Sequence, residues 1–500
     1  MQRRISNIEV KSCALVLIAL LCADQLCAEV ILPSAISNHM VLQRQMPIPI
    51  WGWARVGEKV TVALGDSTQS TTTGADSRWK VEFPAREAGG PIDLTIQGAS
   101  DTLKLTDILI GDVWVCGGQS NMEHPLSTTL EAAQDIPQAE NPKLRLSVVP
   151  RTFSGKPRDD INRIGWFRCT PKTVPNFSAV AYYFGREIQK RTGVPIGLVQ
   201  CSWYGTSIQV WTSLRAFEAN PIIKQDYDTF VTALPKEYID WHDRAEEFHE
   251  AANAQVGKTQ GKVYFLDPPP TGCYNAMVHP LTRFPIEGVI WYQGESDAPR
   301  HDRYAQALSI MAKDWRDAWA QGEFPFLYVQ IGYCKWWSPT WAAQCEAQQK
   351  AESLIPNSAM VVMADLHDNW GQHPRMKRGV GERLALAARA NVYGEKNVAW
   401  RAPRFKSASV EGSSMRLSFE HTGGRLEARG EGALSGFMIA GADGKFQPAE
   451  ATIDVDTIVV SAKGVEKPVT ARFNWEVQNP ITAIYSAYEL PLTPFRTNPN

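Results

Sequence analysis

The hydrophobic rhythm of the chain changes twice. From residue 30 to about residue 109, apolar side chains come in short runs at 40–42, 48–53, 59–64 and 79–83. Apolar and polar positions alternate within the longer runs, which turns one face of each strand to a core and the other to water. Turn formers such as Gly65-Asp66 and Gly89-Gly90-Pro91 separate the runs, and no stretch holds a helical period. This spacing predicts a small β-sandwich domain over residues 29–109.

Beyond residue 112 the period lengthens. Residues 178–191 read as a helix stopped by Gly193-Val194-Pro195, and residues 196–201 read as a fully buried strand. Helices are predicted at 304–319, 341–354 and 377–390, with strands at 325–331 and 359–363 between them. Strands that alternate with helices imply a parallel sheet covered on both faces. The fold class is therefore α/β, with a three-layer α/β/α domain over residues 110–400. Residues 401–500 return to β, with strands at 414–419, 433–439, 457–461 and 470–475. The pattern leaves open whether this tail stands alone or completes the first sandwich.

The N-terminus changes the picture of where the protein works. Arg3, Arg4 and Lys11 precede an apolar run at 13–23, too short to stay in a bilayer, and Ala28 offers a small residue for cleavage. Residues 1–28 are read as a signal peptide, so the mature chain is expected to be periplasmic or secreted, without stable membrane insertion. Three of the nine cysteines lie in that leader; the remaining six show no metal-type spacing. Lys and Arg at 51 against Asp and Glu at 53 give no basic excess, which argues against nucleic acid as a partner. Seventeen tryptophans point weakly towards carbohydrate.

Candidate chemistry gathers at predicted strand ends, where ligands of parallel sheets bind. The buried-looking run Val113-Trp114-Val115-Cys116 meets Gly117-Gly118, and Gln119-Ser120-Asn121-Met122 follows at a helix start. A hydroxyl beside unpaired backbone N–H groups is half of an acyl-transfer site, although a serine there also reads as a plain helix cap. Three other segments supply what such a site lacks. Gly205 offers a backbone N–H after the strand at 196–201, Gln293 offers a side-chain amide in Trp291-Tyr292-Gln293-Gly294-Glu295-Ser296, and His373 offers an imidazole in Gln372-His373-Pro374.

These stretches resemble the sialate O-acetylesterase family of the SGNH hydrolases. The match is carried by Gly118 to Met122, by Trp291 to Ser296, and by His373-Pro374 with Lys377, Val380-Gly381 and Arg383-Leu384-Ala385. Val41-Leu42-Gln43-Arg44, Trp51-Gly52, Tyr274-Asn275-Ala276-Met277 and Pro494-Phe495-Arg496-Thr497 follow the family in order. The resemblance implies an SGNH-type hydrolase domain acting on an O-acetylated carbohydrate, sialic acid first, with no cofactor. It implies Ser120 as nucleophile, His373 as general base, and Ser120, Gly205 and Gln293 as oxyanion donors.

The sequence departs from the family where an aspartate usually stands two or three residues before the histidine; here those positions are Gly371 and Trp370. The acid that orients the imidazole is assigned to Asp368, with Asp365 or the Trp370 carbonyl as alternatives, and a Ser–His dyad is a further outcome. Tyr204 also replaces a common glycine. Trp336 and Trp337 are expected to wall the pocket and stack on a sugar ring, although core packing serves equally well for them. Glu123 with Glu295 reads only weakly as a glycosidase pair. His279 and His367 read as packing residues, so no metal site is expected. Arg300 and Arg303 are the nearest cations in sequence for a sialate carboxylate. Acetylated xylan or another acetylated polysaccharide is the alternative substrate, and a non-catalytic carbohydrate-binding protein on a degenerate esterase scaffold is the alternative from another class.

Overall fold

The computed structural model describes residues 29–161, 164–233, 268–334, 340–368, 371–429, 434–475 and 484–497. The expected leader at 1–28 lies outside them. No helix among the described residues is long and apolar enough to cross a membrane.

The N-terminal region holds β1 (Val41–Gln43), β2 (Ile48–Trp53), β3 (Lys59–Leu64), β4 (Ser67–Thr72), β5 (Arg78–Phe83), β6 (Gly89–Gln97) and the first half of β7 (Thr102–Gly118). β7 is the spine of the molecule. Its first six residues, Thr102 to Asp107, alternate outward and inward, and every residue from Ile108 to Gly118 is buried. The change follows the sequence: Thr-Leu-Lys-Leu-Thr-Asp can cover one face only, whereas Ile-Leu-Ile-Gly-Asp-Val-Trp-Val-Cys suits a strand covered on both. The first half pairs with β6 in antiparallel fashion, and β1 lies parallel beside Leu109 to Gly111. No loop separates the two regions at residue 109; one continuous strand crosses that point.

The second half of β7 sits inside a seven-strand run of sheet. The order is β13 (Ser358–Val361), β12 (Phe326–Val329), β11 (Gly288–Tyr292), β7, β10 (Ile196–Ser202), β8 (Asn141–Val148), β9 (Trp166–Cys169). All neighbours pair in parallel except the edge strand β9, which runs against β8. Alternate residues of β7 feed two cores. Val113 and Val115 join a cluster that reaches down to Ile50 and Trp51 of the first sandwich. Trp114 and Cys116 face the opposite cluster, beneath α2 (Ala179–Thr192) and α5 (Lys377–Asn391). The helix α3 (His301–Trp319) covers the first face, with Tyr304, Leu308 and Trp315 buried there. The helix α4 (Trp341–Leu354) divides its buried residues between both cores. The six cysteines in the described residues are all buried.

Among the described residues, the C-terminal strands make two antiparallel four-stranded sheets and a two-stranded ribbon. Met415, Leu417, Ile439, Ile458 and Phe473 belong to a core that shares no residue with the N-terminal one. The tail therefore has a core of its own, while Ala402 and Leu490 join the cluster that also holds Ile50 and Trp51. It docks on α4 through ion pairs from Arg404 to Glu352 and from Arg496 to Glu346.

Candidate active site

The nucleophile side of the site is built by the end of β7. Gly118 has φ +140°, and a Cβ there would lie 2.2 Å from the Tyr292 carbonyl oxygen on β11. Only glycine lets the chain turn out of the sheet at that point. The turn opens the one-turn helix α1 (Ser120–Glu123), whose Met122 and Glu123 N–H groups both donate to the Gln119 carbonyl. The Ser120 N–H has no acceptor among the described residues.

The loop between β13 and α5 brings His373 to it. The Nε2 of His373 lies 2.8 Å from the Ser120 Oγ, across 253 residues of sequence. Partial burial and the nearby Lys377 charge hold the imidazole below its ordinary range, which favours the neutral ring that a base requires. The expected orienting acid is engaged elsewhere. Asp368 accepts the backbone N–H of Arg375 at 3.2 Å and its Nε at 2.6 Å, and has no hydrogen bond to His373. A guanidinium two residues after the histidine offers that carboxylate charge-assisted donors, and the aspartate takes them. Asp365 forms a two-pronged pair with Arg383. Trp370, the third candidate, lies outside the described residues, and among those described nothing bonds the His373 Nδ1.

The oxyanion side is divided. After β10 the chain passes beside the serine turn, with the Trp203 N–H donating to the Gly118 carbonyl at 3.1 Å. Gly205 follows with φ +71°, exposed, its N–H without an acceptor among the described residues and open space where a side chain would stand. The Ser296 hydroxyl anchors its carbonyl at 3.0 Å. Gln293 is different. Its Nε2 donates to Asp297 at 2.7 Å and to the Thr206 carbonyl at 3.2 Å, and its Oε1 accepts the Tyr304 hydroxyl. Both amide hydrogens are occupied, so in this arrangement Gln293 braces the turn that carries Gly205 instead of presenting a free donor. Asp297 completes the brace by accepting the Ile208 N–H at 2.8 Å.

Ser120 and His373 open into a cavity of about 520 Å³. Arg151 on its wall pairs with Glu123 and lies 4.6 Å above the Tyr204 ring. Glu123 also accepts the Tyr204 N–H at 2.9 Å. His124, on the same wall, bonds the Thr128 hydroxyl at 2.8 Å, and burial pulls it down to about 4. Sequence reading had no signal for Arg151, which falls in an irregular stretch. Arg300 and Arg303 are taken by Asp297 and Asp226. Glu123 and Glu295 each have partners of their own; Glu295 is buried against Asn121. His279 bonds the Arg158 carbonyl, and His367 is half-buried. No cluster of three or more His, Cys, Asp or Glu residues able to hold a metal occurs among the described residues. Trp336 and Trp337 lie outside them.

Known proteins share this framework. Residues 254–390 match the family described as carbohydrate esterase, sialic acid-specific acetylesterase. The mouse sialate O-acetylesterase is 31% identical over 78% of this chain and 78% of its own length. The chain belongs to the sialate O-acetylesterase family. The human sialate O-acetylesterase is 31% identical over 74% of this chain and 72% of its own. The crystal structure of a carbohydrate acetylesterase from Xanthomonas citri superposes with a TM-score of 0.80 at 35% identity, covering 94% of this chain and all of that one. This family member is accordingly a carboxylic ester hydrolase of the carbohydrate acetylesterase type, and the non-catalytic reading falls away. The segment matched to the family carries Gln293 and His373, whereas Ser120 lies before it.

Proposed function

We propose that this protein removes O-acetyl groups from carbohydrate through an acetyl-enzyme on Ser120, with His373 as general base. The 2.8 Å contact between the Ser120 Oγ and the His373 Nε2 carries the reading. His373 takes the hydroxyl proton as the Ser120 oxygen attacks the acetyl carbonyl, and returns it to the departing sugar oxygen. Water then attacks the acetyl-serine and gives its proton to His373, which passes it to the departing Ser120 oxygen as acetate is released. The Ser120 and Gly205 N–H groups are the donors available to the oxyanion, each such donor being worth about a hundred- to a thousand-fold in rate. With Asp368 committed to Arg375, the pair works as a Ser–His dyad. The leader at 1–28 makes this a periplasmic or secreted activity.

Sialic acid is the substrate in the names of the mammalian relatives. A second reading, a neutral acetylated polysaccharide such as xylan, is favoured by one observation: Glu123 already neutralises Arg151, the cation on the cavity wall. Acetate release from O-acetylated sialic acid and from acetylated xylan, measured side by side, tests the two. Ser120→Ala should lower kcat on either by at least about a thousand-fold. A Ser120→Ala protein that turns over normally overturns the mechanism.

A further inference from the structure

A buried polar chain runs beneath the Ser120–His373 contact, and the reaction scheme above makes no use of it. Lys377, fully buried at the first position of α5, donates from Nζ to the Asn121 Oδ1 at 2.5 Å. The Asn121 Nδ2 donates in turn to the Glu295 Oε1 at 2.6 Å and to the Gln372 carbonyl at 3.0 Å. Asn121 directly follows the serine, and Gln372 directly precedes the histidine. One amide thus ties the two sides of the site together.

We propose that Lys377 is a positioning residue: its ammonium orients the Asn121 amide, which holds the Gln372 carbonyl and so fixes His373 against Ser120. The orientation is unambiguous chemically. An ammonium can only donate, so it selects the amide oxygen; the two acceptors on the other side then receive the amide N–H groups. Reversing the amide would set its N–H groups against the ammonium and its oxygen against a carboxylate and a carbonyl.

The placement of Lys377 runs against local preference, which marks it as a position held for more than helix stability. A cation at a helix N-terminus opposes the macrodipole, and an ammonium sealed from water loses its hydration. Burial pulls Lys377 down to about 7, partly offset by Glu295 and Asp368. Burial pushes Glu295 up, while Asn121 and Lys377 pull it back. The Nζ also sits 5.4 Å from the centre of the Tyr292 ring on β11. Around His373 the charged and titratable neighbours are Lys377 from α5, His124 and the Glu123–Arg151 pair from the cavity wall, and Asp368 with Arg375 from its own loop.

The inference rests on Ser120 and His373 being nucleophile and base, and the test separates the two. Lys377→Met keeps the length of the side chain and removes the donor. It should lower kcat on 4-nitrophenyl acetate about a hundred-fold with KM within about threefold, because misplacing a reacting group costs turnover rather than binding. Removing the positive charge should also move the acid limb of kcat/KM to higher pH, a shift that mere loosening of the fold would not cause. Asn121→Asp gives Lys377 an ion-pair partner but withdraws the hold on Gln372, so the same loss of kcat is expected. This variant decides the matter if Lys377→Met does not fold. Wild-type kcat in Asn121→Asp, or a Lys377→Met loss with an unmoved acid limb, overturns the proposal. If Ser120→Ala is inactive while both variants turn over normally, only the positioning role fails; if Ser120→Ala is active, the nucleophile assignment fails with it.

Discussion

The two sides of the proposed catalytic pair are held by opposite means. Ser120 rides on the central strand of a sheet, between two neighbours that pair with β7 up to Gly118. Its geometry is set by backbone: a glycine pressed on the Tyr292 carbonyl, then a turn closed on the Gln119 carbonyl. His373 rides on a loop and is held by side chains. The Asp368–Arg375 pair closes the loop, Asn121 grips Gln372, and Lys377 anchors the start of α5. The difference teaches where each side is vulnerable. Backbone placement resists charge changes and fails by steric strain, whereas side-chain tethers tolerate shape changes and fail with loss of a charge.

Gly118→Ala attacks the backbone side and should have the larger effect. The methyl group would meet the Tyr292 carbonyl oxygen, and φ +140° is strained for any residue with a Cβ. The strain alone is about 1–3 kcal/mol. Relief by shifting the turn should lower kcat about a hundred-fold even in the fraction that folds. Thermal melting and 4-nitrophenyl acetate turnover check the two parts; a variant with normal stability and rate would mean that the turn is not rigid. Asp368→Asn attacks the tethered side. It removes one charge-assisted contact from a partly exposed pair, and about a tenfold fall in kcat is expected, roughly 1.4 kcal/mol of barrier. Wild-type activity in that variant would mean that Asn121 and Lys377 hold the loop without it.

The same contrast explains what could be read from the sequence. Periodicity located the helices closely: the expected 341–354 is Trp341–Leu354, and the expected 377–390 is Lys377–Asn391. Ser120 was legible because a buried strand, two glycines and a polar turn are contiguous, so local pattern and geometry coincide. His373 was legible through the family motif around it, since a loop histidine has no periodicity of its own. The orienting role given to Asp368 did not follow from spacing, because a competing guanidinium at Arg375 decides where the carboxylate points. Gln293 has the right chemistry, but Asp297, four residues on, draws its amide away. The continuity of β7 was obscured by its own change of pattern: Thr102 to Asp107 alternates and the rest does not, so one strand reads as two domains. Lys377 carried a signal that local rules could have raised, a cation in the first turn of a helix.

The smallest effect should appear in the pH dependence, which reads the tethered side without mutation. Burial first, and then the Lys377 charge, lower the affinity of His373 for a proton. The neutral ring is the working base, so kcat/KM should fall as pH drops through a value below 6.5. Protonating the ring gives it a second N–H and removes the lone pair that accepts the serine proton. Burial holds the neighbouring His124 down as well, to about 4. The sign for stability is the same. A histidine whose affinity is lowered on folding adds stability above its unfolded value, and that contribution is lost as pH falls through the folded value. A pH–rate profile with its acid limb at or above 6.5 would mean that neither desolvation nor the Lys377 charge acts on the ring. The base would then be held less firmly than the 2.8 Å contact requires.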